Sequence, residues 1–237
     1  MAKVAVAQIK IFDETNKNLN KILEFIEKAS FKKADIVCFP ESTLGNSTLN
    51  IISNEIRKIQ DKCKEKSIYC IFGAHLRDKG KIYNSAILVN RLGKIEYIYR
   101  KINLFPGLDL KKTSPGKENR AIKTDFGKIG IIICWDFAFP EGIKKLARNG
   151  AQIIFCPSYL LNEAEISKEV FRSYPLTRAF ENAVYFVSCD AFTDETLGES
   201  YICSPLKVLN KIRNREGLIF SELNLKELID LKNSMLE

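Results

Sequence analysis

The chain has 237 residues, 46% of them hydrophobic and 28% charged, the balance of an ordinary globular protein. No apolar run approaches the roughly 18 residues that cross a bilayer, and the start "MAKVAVAQIK" has no long apolar core or cleavage site; a spanning helix and a secretory signal are not expected, and the cytoplasm is the expected location. The net charge of +8 permits nucleic-acid binding, but no basic stripe with aromatics is found, and "NKNLNKILEFIEK", "RKIQDKCKEK", "LKKTSPGK" and "LNKIRNR" read mostly as solvated helix faces.

In chain order, strand patterns occupy 3–9, 34–40, 68–76, 83–90, 94–101, 127–134, 151–157, 183–190, 200–205 and 217–223. Helical periodicity lies between several of them, at 17–31, 50–66, 139–149, 163–182 and near 225–236. Strands outnumber helices, and some join through short turns such as Leu92-Gly93. This predicts a mixed α/β layered fold rather than a purely parallel sheet. No linker rich in Pro, Gly or Ser divides the chain, so one domain over 1–237 is expected. The stretch 170–186, "VFRSYPLTRAFENAVYF", carries more large apolar residues than a solvated helix needs, and Pro175 interrupts it. It reads equally as interface surface or as a segment buried under a sheet.

One internal echo stands out. "ADIVCFPE" (34–41) and "AQIIFCPS" (151–158) each follow an amphipathic helix, run apolar, and end in Pro plus a polar residue. Two copies of this unit predict two related halves whose strand ends meet at one cleft.

The seven cysteines include no C-x-x-C pair, and His75 is the single histidine. A zinc site is therefore not expected. Cys38, Cys70, Cys156, Cys189 and Cys203 sit in apolar runs, as reduced and buried cysteines do. Any mechanism with a histidine base would need His75. A reactive cysteine without it needs a carboxylate or a lysine.

Three reactive side chains end strand patterns: Glu41 after "ADIVCFP", Lys101 in "KIEYIYRK" and Cys134 in "IGIIIC". Singly, each has an ordinary reading as a turn residue, a solvated strand end or core filling. Together they form a complete chemical set. A free thiol titrates near 8.5 and needs a base, which Glu41 can supply. Attack on a carbonyl builds negative charge on oxygen, which Lys101 and the backbone N–H after the nucleophile can meet. No histidine and no metal is required.

At these residues the sequence resembles the carbon–nitrogen hydrolases of the nitrilase superfamily, which use Glu, Lys and Cys in this order. "FPES" (39–42), "YRKINLF" (99–105) and "CWDFAFPE" (134–141) are similar to the segments around the family's three residues. "GAQIIFCPS", "TRAFENAVYFV" and "GESYICSP" also fit, and the likeness runs from Met1 to about Leu223. The resemblance implies a four-layer αββα sandwich of two mixed sheets, a homodimer and no cofactor. It also implies hydrolysis of a small linear amide through a thioester on Cys134, with Glu41 as base. Lys101 and the Trp135 backbone N–H would hold the oxyanion, and Asp136 would orient the turn rather than react. N-carbamoyl and nitrile hydrolysis remain open within the enzyme class. A non-catalytic binding relative is the alternative outside it, although such a protein would not require all three residues.

The departures from the family pattern are specific. Asn103 stands where members commonly have His, and Ala138 where many amidases have Arg. For the family's second glutamate the loop "LFPGLDLKK" offers Asp109, with Glu118 farther off. Asp109 is the candidate second acid, and a solvent-facing loop aspartate is its equally weighted alternative.

Overall fold

The computed structural model describes residues 1–163 and 166–234. In chain order the first elements are β1 (Ala2–Gln8), α1 (Thr15–Phe31), β2 (Ile36–Cys38), β3 (Thr48–Leu49), α2 (Asn54–Lys66), β4 (Tyr69–Asp78), β5 (Lys81–Val89), β6 (Ile95–Arg100) and the short α3 (Asp109–Lys112). Then come β7 (Ile122–Thr124), β8 (Gly127–Ile131), a 3-10 turn (Cys134–Ala138), α4 (Pro140–Arg148) and β9 (Ile153–Ser158). The last are α5 (Lys168–Asn182), β10 (Tyr185–Asp190), β11 (Glu199–Cys203), β12 (Val208–Arg213), β13 (Gly217–Leu223) and α6 (Leu225–Ser234).

The strands form two mixed sheets. One has the order β13-β1-β2-β4-β5-β6, with β3 beside β4, and the other β12-β11-β10-β9-β8-β7. In the first sheet β1, β2 and β4 run parallel and β5 and β6 follow as antiparallel hairpins. In the second, β8, β9 and β10 are parallel and β11 and β12 follow in the same way. The two halves therefore share one topology. The echoed segments 34–41 and 151–158 provide the middle parallel strand of each, β2 and β9.

Alternation along β1 shows how the layers form. Val4 and Val6 join the core shared by the two sheets, while Ala5 and Ala7 face α1 and α2. Helix α1 buries Leu19, Ile22, Phe25, Ile26 and Ala29, one stripe at helical spacing. Ile143 and Leu146 of α4, with Phe171 and Ala179 of α5, cover the other sheet. The result is the expected αββα sandwich.

Several boundaries differ from the sequence reading. "LNKIRNR" lies in β12 and the loop after it, not on a helix face, because pairing with β11 supplies its backbone partners. The short β3 and β7 carry too few residues to show a period of two. Helix α2 starts at Asn54 rather than 50, where the Ser53 side chain accepts the Ile56 N–H at 3.5 Å. Helix α5 starts at Lys168, and Pro175 lies inside it without ending it. Its Phe171, Pro175 and Ala179 are buried, while Val170 and Phe180 are exposed. All seven cysteines are free and buried. Among the described residues no helix is long and apolar enough to cross a membrane.

Candidate active site

Glu41, Lys101 and Cys134 follow the C-terminal ends of β2, β6 and β8 and line one cleft of about 870 Å³. Asn84, Asp109, Trp135 and His75 line the same cleft. Glu41 reaches it because the 40–42 segment crosses directly over Gly73. A Cβ at Gly73 would overlap the Ser42 nitrogen and come within 2.8 Å of the Pro40 oxygen. The Glu41 N–H donates to the Ser158 carbonyl at 3.3 Å, so the ends of the two echoed segments meet at the cleft.

Lys101 is held by its backbone first. Its N–H donates to the Asn84 carbonyl at 2.8 Å, and its carbonyl accepts from the Gly116 N–H at 2.8 Å. Its side chain is 2% exposed, with Nζ 2.8 Å from Glu41 Oε1 and 2.6 Å from Asp109 Oδ2. Burial alone would drive the proton off this amine, but the charges of Glu41 and Asp109 outweigh it and hold the ammonium well above the usual lysine range. Burial likewise works against the Asp109 carboxylate, yet Lys101 wins and holds it below its ordinary range.

Asn84 completes this junction, and the sequence pattern did not single it out. Its Nδ2 donates to Glu41 Oε1 at 2.6 Å and to Asp109 Oδ1 at 3.2 Å. Glu41 Oε1 thus receives both the amide and the ammonium. Asp109 Oδ2 also accepts the Phe105 N–H at 2.9 Å, which fixes the loop after Lys101. Asp109 is buried at the site, whereas Glu118 is exposed.

Cys134 opens the 3-10 turn with φ of 42°, a left-handed conformation that costs a non-glycine residue about 1–3 kcal/mol. Asp136 compensates. Its carboxylate accepts the Ile133 N–H at 2.9 Å, the Tyr99 hydroxyl at 2.8 Å, and the Asn103 N–H and Nδ2 at 2.8 and 3.0 Å. Asn103, the departure beside Lys101, therefore ties the lysine loop to the cysteine turn. Asp136 does not line the cleft. Ala138 packs half-buried against the core. Trp135 packs edge-on against Phe105, with ring centroids 5.2 Å apart.

Burial pushes the Cys134 thiol well up, the Glu41 charge adds to this, and Lys101 opposes it. Near neutral pH the group is a thiol and must lose its proton to react. Its Sγ lies 3.8 Å from the Tyr159 carbonyl, a weak thiol hydrogen bond. His75 pairs opposite Asn84 in the β4–β5 ladder, and burial lowers its pKa. Among the described residues no hydrogen bond joins it to Cys134. Among them, too, no cluster of His, Cys, Asp and Glu side chains is arranged to hold a metal.

A buried carboxylate, a buried ammonium and a thiol thus converge from three strand ends, and the carbon–nitrogen hydrolase model matches residues 3–233. The chain belongs to the carbon–nitrogen hydrolase family. This hydrolase is 28% identical to the omega-amidase of Homo sapiens, over 98% of its own length and 92% of that protein's. It is 32% identical to a nitrilase of Pyrococcus abyssi, over 86% and 82% of the two chains. Its fold matches an amidase from Nesterenkonia sp. AN1, described with acrylamide added to the active-site cysteine. The TM-score is 0.87 at 17% identity, covering 99% and 98% of the chains. This carbon–nitrogen hydrolase therefore has the nitrilase-superfamily sandwich and is an enzyme acting on non-peptide carbon–nitrogen bonds.

Proposed function

We propose that residues 1–237 form one catalytic domain that hydrolyses the terminal amide of a small linear substrate through a thioester on Cys134. The observation that carries this reading is the junction at Lys101. One ammonium there contacts Glu41 at 2.8 Å and Asp109 at 2.6 Å, beside the thiol in a shared cleft. Glu41 Oε1 is occupied by Asn84 and Lys101, so Oε2 is the oxygen that takes the thiol proton. The thiolate attacks the amide carbon, and Lys101 with the Trp135 backbone N–H holds the developing oxyanion. Glu41 returns its proton to the leaving amine, the C–N bond breaks, and ammonia departs. Glu41 then takes a proton from water, the hydroxyl attacks the thioester, and the acid leaves as the thiol is restored. Asp109 keeps Lys101 charged and placed throughout, the role of a second acid.

A relative named an omega-amidase supports the amide over other substrates. The Pyrococcus nitrilase supports nitrile hydrolysis as a second reading. Intact-mass measurement after exposure to panels of small amides, carbamoyl compounds and nitriles separates them. An acyl adduct on Cys134 from primary amides is expected. An adduct from nitriles alone would move the reading to nitrile hydrolysis. No adduct and no ammonia from any class would favour a binding relative without catalysis.

The chemistry needs neither metal nor cofactor, so a chelator should leave activity unchanged. A cytoplasmic homodimer completes this reading. A monomer by light scattering at micromolar concentration would remove the dimer from it.

A further inference from the structure

We propose that Asp190 is a positioning residue for both the base and the nucleophile, acting through the backbone of Ser158–Leu160. This rests on the roles of Glu41 and Cys134 argued above. Asp190 ends β10 directly opposite Ser158, the end of β9. It is fully buried and lies outside the cleft lining. Its carboxylate meets four N–H donors. Oδ1 accepts from Leu160 at 2.9 Å and Ala191 at 3.0 Å, and Oδ2 from Gly198 at 2.9 Å and Glu199 at 3.3 Å. Its own N–H donates to Ser200 Oγ at 2.9 Å, which in turn donates to Gln8 Oε1 at 2.7 Å on β1. The backbone of Asp190 is thus tied to β1 of the other sheet, while its carboxylate gathers the 160 and 198 segments.

What it holds is a three-residue stretch with successive duties. Ser158 offers its carbonyl to the Glu41 N–H at 3.3 Å. Tyr159 offers its carbonyl to Cys134 Sγ at 3.8 Å. Leu160 gives its N–H to Asp190, and its carbonyl accepts the Leu197 N–H at 2.7 Å. Release of Leu160 would let the carbonyls beside the base and the thiol drift together. A displacement of about 1 Å in such a site costs on the order of 10²-fold in rate.

The test compares Asp190→Asn with Ser200→Ala. Whichever way the new amide turns, its NH2 faces two N–H donors. Because Leu197 ties the 160 and 198 segments together, the stretch moves in either case. Ser200→Ala weakens the same buried network but leaves all four contacts to the carboxylate. Turnover is expressed per active site titrated as labelled Cys134, so loss of folded protein does not count. Asp190→Asn is expected to lose about 10-fold in kcat per titrated site with KM within about twofold, and Ser200→Ala to keep wild-type kcat per site despite a lower Tm. Wild-type kcat per titrated site in Asp190→Asn, or equal losses in both variants, would overturn the proposal. If Asp190→Asn fails to fold, amide hydrogen exchange on the unaltered protein decides. The Leu160 N–H should exchange as slowly as the amides of β10, and exchange at the rate of an open loop overturns the role. An inactive wild-type protein with a slowly exchanging Leu160 would instead point to failure of the amidase reading.

Discussion

Lys101 Nζ lies 2.6 Å from Asp109 Oδ2, closer than its 2.8 Å contact with Glu41 Oε1. The junction of one ammonium and two carboxylates carries a net negative charge at rest. In the proposed mechanism, uptake of the thiol proton by Glu41 relieves that excess, and Asp109 keeps Lys101 protonated while it happens.

Asp109→Asn should therefore lower kcat by about 10-fold or more, roughly 1.4 kcal/mol on the barrier, while Asp109→Glu keeps much of the activity. Stability should respond as well. Asp109 is held below its ordinary value of 3.8, so its ionised form stabilises the fold above that pH, and the contribution is lost as pH falls through the lower folded value. Asp109→Asn should flatten the acid limb of a Tm-against-pH curve. Wild-type turnover in the variant would leave Asp109 a structural anchor only.

Cys134→Ala should abolish turnover and leave the far-UV spectrum unchanged. Iodoacetamide should label Cys134 ahead of the other six cysteines, which are all 0% exposed against 7% for Cys134. Burial and Glu41 raise this thiol, so in the unliganded protein its labelling rate should still be climbing between about pH 7 and 9. Faster labelling elsewhere in the chain would remove Cys134 as nucleophile.

Glu41→Gln should cost at least the 10²–10⁴-fold typical of general-base help, because the proposed mechanism uses Glu41 in both half-reactions. Lys101→Met should act chiefly on kcat, since the charge it meets is greatest in the transition state. A rise in KM alone would make Lys101 a binding residue.

Asn84→Ala removes a donor shared by Glu41 and Asp109 and should lower kcat by about 10-fold with little change in KM. A hydrogen bond to a charged group contributes roughly 1.5–3 kcal/mol, so a drop in Tm of several degrees should accompany it. Steady-state kinetics with Tm alongside separates the two effects. An unchanged kcat would mean that Lys101 alone fixes the Glu41 carboxylate.

The likeness between 34–41 and 151–158 was legible because each strand writes its burial into consecutive residues, and β2 and β9 occupy matching places in their sheets. Glu41, Lys101 and Cys134 were legible because each interrupts an apolar run with a reactive side chain. Asn84 was not, since "YNSAILVN" reads as one more strand, and nothing local marks a side chain whose partners lie in other segments. Asp190 hid in the same way at the end of "AVYFVSCD". β12 was missed because its lysine and arginine suit a solvated strand edge as well as a helix face.

The sequence by itself determined the alternation of strands and helices and the order of Glu41, Lys101 and Cys134, because hydrophobic period and strand termination are local properties. Only the tertiary structure decided that Asp109 rather than Glu118 reaches Lys101, that Asn84 bridges two acids, and which Glu41 oxygen receives both Asn84 and Lys101. The last two outcomes join residues 25, 43 and 60 positions apart. Contacts across such separations depend on how sheets pack and loops close, and no period or short motif in the chain encodes that geometry.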